Sequence, residues 1–482
     1  MSTTAVATQY IDGEWSTGAG TPIPVLDPTD ESTIEDMPSS TTSDVEAALR
    51  AAARAQPGWA RAAASTRGNA LRTIADVIGA HAERLVELLV QEVGKPVAQA
   101  KGEVAFAESF CRYHAEWDRR LEGEILAGDA EGETIHLLRA AIGVVVAICP
   151  WNFPLAVLCR KLAPALVMGN TVVVKASEVT PLATLELFRL IDEHAALPRG
   201  VVNLVAGGRE VGRALVDSEL TSMVSFTGHR DTGKEVMARA ASNLTRVALE
   251  LGGKAPAIVW KDADLELAVG AIVEARHANS GQVCTSAERV LVHRDVVEPF
   301  TDLYVSAVGR LRLGDPRGDV DMGPLVSAAQ LAKTSDALAL AREEGASIVA
   351  GGTPPSGDGF AKGYWSTPTV LRDVRPGMMI MIEETFGPIT PILAIDSLEE
   401  AVRVANDSRY GLSAYIFSES YPAVMETVDA LQFGEIYVNR TLGESIHAHH
   451  AGYKESGIGG EDGKWGLLRY SQIKTVYHHY GR

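Results

Sequence analysis

Short runs of aliphatic and β-branched residues alternate along this chain with longer stretches whose apolar positions recur at helical spacing. Leu71, Ile74, Ile78, Leu85 and Leu88 follow such steps, so residues 68–93 are predicted as one amphipathic helix, stopped by Gly94 and Pro96. IGVVVAI, NTVVVK, VVNLVAG and SMVSFTG then read as strands, separated by helix-like TPLATLELFRLIDEH and DTGKEVMARAASN. That order predicts βαβ units, a parallel sheet and hence an α/β fold. After Gly253 a second block reads the same way. APAIVW, RVLVHR, ASIVAG, TPILAI, SAYIFS and EIYVN are its strands. DLELAVGAIVEARHA and SLEEAVRVAND are its helices, the latter opened by a Ser397–Glu400 capping box. Two blocks predict two domains with a cleft between them. QIKTVYHHY reads as a strand beyond that body, paired elsewhere in the molecule or with another subunit.

Residues 141–159, AIGVVVAICPWNFPLAVLC, approach membrane-spanning length. Pro150, Asn152 and Pro154 interrupt the run, so a buried strand, a tight turn and the start of a buried helix are expected instead. A length of 482 residues calls for two or three domains. A net charge of −18 repels phosphate backbones and anionic lipid, so neither nucleic acid nor a membrane is an expected partner. The four cysteines, Cys111, Cys149, Cys159 and Cys284, form no CxxC pair. With no basic and apolar leader in MSTTAVATQYIDGEW, this predicts a reduced, cytoplasmic setting and no metal centre.

Candidate chemistry centres on Cys284 in NSGQVCTSAER. A lone cysteine is usually a buried structural residue. Here the flanking residues are polar, and Gly281 permits an unusual backbone angle, which fits a nucleophile whose thiolate needs donors or positive charge nearby. Upstream, Val247, Ala248 and Leu249 form a strand that delivers Glu250 to a turn at Gly252 and Gly253. A carboxylate so placed is either a surface residue or a partly desolvated general base. Asn152, between the prolines of PWNFP, is either a turn residue or a rigid amide donor for an oxyanion. Lys175 and Glu178 follow a strand end, where they can meet ribose hydroxyls. Gly228 and Gly233 bracket GHRDTG at a strand-to-helix turn suited to a pyrophosphate, although the G-x-G-x-x-G fingerprint is absent. Glu384 and Phe386 in EETFGP either hold a nucleotide sugar and ring or form a simple loop.

In order, PWNFP, GNTVVVK, SFTG, LELGGK, GQVC, EETFGP and SGIGG resemble the aldehyde dehydrogenase superfamily over roughly Pro150 to Gly460. ELGGKAPAIV, DADLELAV, NSGQVC, ANDSRYGL and KESGIGGEDGK are most similar to its lactaldehyde and glycolaldehyde dehydrogenase branch. The resemblance implies a Rossmann-type NAD-binding domain (1–117 and 141–249), an α/β catalytic domain (250–464) and a small β oligomerisation extension (118–140 and 465–482), assembled as a homodimer or homotetramer. It implies that Cys284 attacks the aldehyde while Asn152 and the Cys284 N–H hold the oxyanion. Glu250 would then activate water to hydrolyse the thioester. Trp151, Lys175, Glu178, Gly228, Gly233, Glu384 and Phe386 would contact the cofactor. The family's serine after FTG is replaced by His229, followed by Arg230, a basic pair that can favour a second phosphate. Glu178 argues against a 2′-phosphate, so NAD is expected over NADP. Arg160, eight residues after Asn152 on the following helix, and His450 are expected to bond a hydroxyl or carboxylate on a short aldehyde, with a surface arginine and a loop histidine as the alternative. Glu461 is read as a second base or a loop support. A semialdehyde dehydrogenase acting on a carboxylated substrate, an acylating enzyme that releases an acyl-CoA and a non-catalytic NAD-binding protein are the competing readings.

Overall fold

The continuous apolar runs become strands buried on both faces, as parallel sheets covered by helices require. A computed structural model describes residues 7–481. Its first sheet has a parallel centre ordered Val202–Val205, Thr171–Lys175, Val144–Ile148, Met223–Thr227, Arg246–Glu250. Gln9–Ile11 and Glu14–Ser16 add an antiparallel hairpin at one edge, and Gly457–Ile458 pairs antiparallel with Arg246–Glu250 at the other. Alternation along one strand fills two cores: Val145 and Ala147 face one, and Val144, Val146 and Ile148 face the other.

A second sheet runs Ser347–Ala350, Thr369–Arg372, Ile389–Ile395, Ala287–His293, Ala255–Val259, Ser413–Phe417, Glu435–Val438, and only its first pair is antiparallel. The C-terminal strand, Ser471–His479, pairs within the chain, antiparallel to Glu133–Ala141, which also pairs with Glu124–Ala127. The run at 141–159 divides as expected into Val144–Ile148, a turn and the helix Pro154–Val167. Among the described residues, no helix is long and apolar enough to cross a membrane.

Two local expectations are corrected. The single helix expected over 68–93 is two, Ala64–Ala80 and Ala82–Val93, broken at His81 (φ −112°, ψ 21°). Periodicity continued across the break because both helices bury the same apolar stripe. The Ser397–Glu400 box is also offset. Ser397 Oγ accepts from Glu400 N at 3.1 Å, but the Glu400 carboxylate accepts from Asp396 N at 2.7 Å, one residue before the cap.

Candidate active site

One cavity of about 670 Å³ opens between the two large sheets, and Trp151, Asn152, Glu250 and Cys284 all line it. Glu250 ends the strand Arg246–Glu250, while Cys284 follows a tight turn, Ala278–Gly281. That turn is held in an uncommon form. Asn279, Ser280 and Gly281 all have left-handed φ, at 47°, 58° and 81°. Hydrogen bonds hold them there: Gln99 Oε1 accepts from Asn279 N at 2.7 Å, and Ser280 Oγ donates to the Gly323 carbonyl at 2.8 Å. Gly281 is required twice over, since a Cβ there would lie 2.7 Å from the Gly387 backbone.

The Cys284 thiol is half-buried, and desolvation followed by the Glu444 carboxylate pushes its pKa up. The positive surroundings expected from its polar flanks are outweighed, so the thiol rests protonated and needs a base. Glu250 has the character of one. It is 3 % exposed, and neither carboxylate oxygen has a hydrogen-bond partner among the described residues. Burial pushes its pKa up to about 8, against a lowering by His450, whose Nε2 lies 3.8 Å from Glu250 Oε2. Asn152 Nδ2 donates one hydrogen to the Gln282 carbonyl at 3.0 Å. An amide carries two such hydrogens, which leaves one for an oxygen in the cavity.

Arg160 and His450 also reach the cavity, but among acids. Arg160 Nε donates to Asp462 Oδ1 at 3.1 Å and Nη2 to Glu444 Oε2 at 3.0 Å. Arg160 therefore lies on the cavity wall, not on the outer surface, with two carboxylates already answering its charge. Burial alone would lower the His450 pKa, yet Glu435, whose Oε1 sits 3.1 Å from Nδ1, and Glu444 raise it to about 10. Glu461 lies behind this group, accepting from Lys161 Nζ at 2.6 Å and Ser225 Oγ at 3.1 Å, where it supports the loop. Glu444 stands outside every string noted in the sequence; Glu435 opens EIYVN and Asp462 falls in KESGIGGEDGK, but nothing in their local spacing marks any of the three as a partner of Arg160 or His450.

The nucleotide candidates divide. Gly228, Glu384 and Phe386 line the cavity. Phe386 meets Trp151 edge-on, with centroids 5.3 Å apart. Its φ of 55° is held by an N–H donated to Glu288 Oε1 at 2.7 Å. Glu384 accepts from Gly253 N at 2.8 Å, and burial, then Glu288, pushes its pKa up to about 7. Glu178 lines a separate small slot with Ile23, Met37 and Gly207. Lys175 is on neither wall and instead donates to Glu178 Oε2 at 3.0 Å. Gly233 is also away from both, packed where a Cβ would meet Leu251 at 2.5 Å. His229 Nδ1 caps the helix Arg230–Ala240 by accepting from Asp231 N at 3.2 Å, and it borders the cavity. Arg230 pairs with Asp231 at 3.0 Å and Glu455 at 3.4 Å.

The profile of the aldehyde dehydrogenase family matches residues 15–476. The chain belongs to that family. This aldehyde dehydrogenase is 46% identical to lactaldehyde dehydrogenase of Escherichia coli (strain K12), with 99% of each chain covered. It superposes on a crystal structure of lactaldehyde dehydrogenase from Escherichia coli with a TM-score of 0.95, at 46% identity and 98% and 99% coverage. A betaine aldehyde dehydrogenase from Staphylococcus aureus in complex with NAD+ superposes with a TM-score of 0.97, at 34% identity and 99% and 96% coverage. The aldehyde dehydrogenase fold and an aldehyde-oxidising activity follow from this membership.

Proposed function

We propose that this enzyme oxidises a short hydroxylated aldehyde of the lactaldehyde or glycolaldehyde kind to its carboxylic acid, using NAD. The convergence of Cys284, Asn152 and an unpartnered Glu250 on one cavity carries the reading. Glu250 accepts the Cys284 proton, and the sulfur adds to the aldehyde carbon. The free hydrogen of the Asn152 amide and the Cys284 N–H bond the developing oxyanion. A nicotinamide held beside Phe386 and Trp151 would supply the hydride acceptor, leaving the acyl group on Cys284 as a thioester. Glu250 releases that first proton to solvent and then takes one from water, whose oxygen attacks the acyl carbon; the thiolate leaves, regains a proton from Glu250, and the acid is freed. An unpartnered base beside the acyl group disfavours release to CoA.

The lining fits a dinucleotide. The loop after the strand Thr171–Lys175, which carries Glu178, borders a slot apolar on the Ile23 and Met37 side, and Glu384, Phe386 and Trp151 border the main cavity. In the slot Glu178 would meet ribose hydroxyls and repel a 2′-phosphate, which favours NAD. Glu384 would take the second ribose, and Phe386 would pack against the nicotinamide. At the substrate end, His450 and Glu444 offer a donor and an acceptor suited to a hydroxyl, while Arg160 is already neutralised. This favours a neutral hydroxyaldehyde over a carboxylated one. The three-part domain division and the homodimer or homotetramer belong to the same proposal. They are supported by the separate three-stranded sheet, whose Ile125 is 72% and Tyr477 68% exposed. A panel of glycolaldehyde, lactaldehyde, propanal and succinic semialdehyde with NAD and NADP tests the reading by kcat/KM. Hydroxyaldehydes with NAD are expected to lead; a preference for the semialdehyde or for NADP refutes it.

A further inference from the structure

Away from the reacting groups, a buried lysine sits directly behind Asn152. Lys95 follows the helix Ala82–Val93 through Gly94, and its side chain is fully buried. Its ammonium lies 3.7 Å from the centre of the Phe153 ring. It donates to the Asn152 carbonyl at 2.9 Å and to the carboxylate of Glu103. Glu103, on the helix Val97–Ala115, uses its other oxygen to accept from Leu155 N at 2.9 Å and Ala156 N at 3.3 Å, the first turn of the helix Pro154–Val167. One ion pair therefore grips the chain at Asn152, Phe153, Leu155 and Ala156. On the opposite side the Asn152 side chain is tied to the cysteine loop through Gln282 O, and Asn279 Nδ2 donates to the Asn152 carbonyl at 3.3 Å.

We infer that Lys95 and Glu103 are positioning residues, which hold the Asn152 amide at the point where the oxyanion on the Cys284 adduct develops. The inference rests on the reading of Asn152 as the oxyanion donor. A buried ion pair is a poor source of stability, since apolar residues of similar volume serve folding as well or better. What it supplies is direction: hydrogen bonds from fixed charges admit little displacement, whereas an apolar plug lets the loop slide. A nearby buried carboxylate lacks this geometry. Glu92 is also fully buried, but it accepts from Leu182 N at 2.6 Å and Ala183 N at 2.9 Å, capping the helix Leu182–His194. It serves as the control for loss of a buried carboxylate that lies in the field of Lys95 but makes no hydrogen bond to the Asn152 segment.

The test compares Lys95→Met, Lys95→Met/Glu103→Gln, Glu92→Gln and Asn152→Ala in the full-length enzyme. Three readouts are taken: kcat for aldehyde oxidation, cofactor-free hydrolysis of p-nitrophenyl acetate, which also needs Cys284 and an oxyanion donor, and the NAD Kd from tryptophan fluorescence. Displacement of the donor by about 1 Å is expected to slow both reactions of the Lys95 variants by about a hundredfold, with the NAD Kd within twofold. The double variant, which leaves no unpaired charge, is expected to regain melting temperature without regaining kcat. Should Lys95→Met fail to fold, the double variant decides alone. Glu92→Gln is expected to melt lower yet keep kcat within twofold. Asn152→Ala should lose about 10²–10³-fold in both reactions. If Asn152→Ala is slow but the Lys95 variants keep kcat and ester hydrolysis within threefold, positioning is overturned. If Glu92→Gln loses as much kcat as they do, the effect is general destabilisation and positioning is again overturned. If Asn152→Ala itself is unimpaired, the oxyanion assignment fails instead.

Discussion

Replacing Glu250 by glutamine should inactivate the enzyme and stabilise it relative to wild type by an amount that grows as pH rises from about 5 to 9. The carboxyl rises from an ordinary 4.5 to about 8, chiefly through burial, and both of its oxygens lack partners among the described residues. A group whose folded pKa is raised contributes nothing adverse below its unfolded pKa. Stability is then lost as pH climbs from 4.5, and the loss levels off above 8. At about 1.4 kcal/mol per unit, the loss is about 1 kcal/mol at pH 5 and about 5 kcal/mol at pH 9. An unfolding entropy of about 1 kcal/mol per kelvin for a chain of this size converts the difference to about 4 °C. Thermal melts of wild type and Glu250→Gln at one scan rate from pH 5 to 9 should therefore diverge by about 4 °C, with the variant gaining. The slope with pH carries the test, because the glutamine amide also lacks a partner and shifts both ends equally. A gap that is flat with pH, or one that grows in favour of wild type, refutes a desolvated base without hydrogen-bond partners.

Four further outcomes follow from the same geometry. Thioester hydrolysis in wild type should rise with pH to a midpoint near 8, as the Glu250 carboxyl ionises, and this limb should vanish in Glu250→Gln when measured by rapid quench. Glu178→Gln should lower the NAD:NADP ratio of kcat/KM by about tenfold, the worth of roughly 1.4 kcal/mol of repulsion. Glu288→Ala leaves the amides of Thr385 and Phe386 and the ammonium of Lys254 without their acceptor; it should cost about 3–5 kcal/mol in urea melts and raise the NAD KM. Gly281→Ala should cost about 2 kcal/mol or more, because φ is 81° and backbone lies in the way, and should abolish labelling of Cys284 by iodoacetamide.

Much of this architecture was legible because runs such as NTVVVK and SMVSF sit in parallel strands covered on both faces, where burial demands continuous apolar residues. Cys284, Glu250 and Asn152 were legible because each stands beside glycine or proline that marks a turn. The surroundings of other residues come from contacts distant along the chain. The partners of Arg160, Glu444 and Asp462, lie about 300 residues away from it in sequence. Lys95, in the break between Gly94 and Pro96, and Glu103, on the helix Val97–Ala115, carry no signal of burial in the sequence; tertiary packing alone buries them. The break at His81 also escaped periodicity, since two helices sharing an apolar face preserve the repeat.

The edge pairing of Gly457–Ile458 with Arg246–Glu250 has a consequence for the chain during its synthesis. When the ribosome has completed residue 250, the strand carrying the base has an open edge, and its partner is still to be made. At about 5–20 residues per second the wait is roughly ten to forty seconds. For that interval the nascent chain exposes unpaired strand hydrogen bonds beside an apolar core, the setting in which strands of neighbouring nascent chains add to one another. The segment that closes the edge also brings Glu461 and Asp462 to Lys161 and Arg160. Chaperone dependence in the cell should therefore concentrate in this window, and chains truncated before residue 457 should aggregate rather than accumulate as soluble halves.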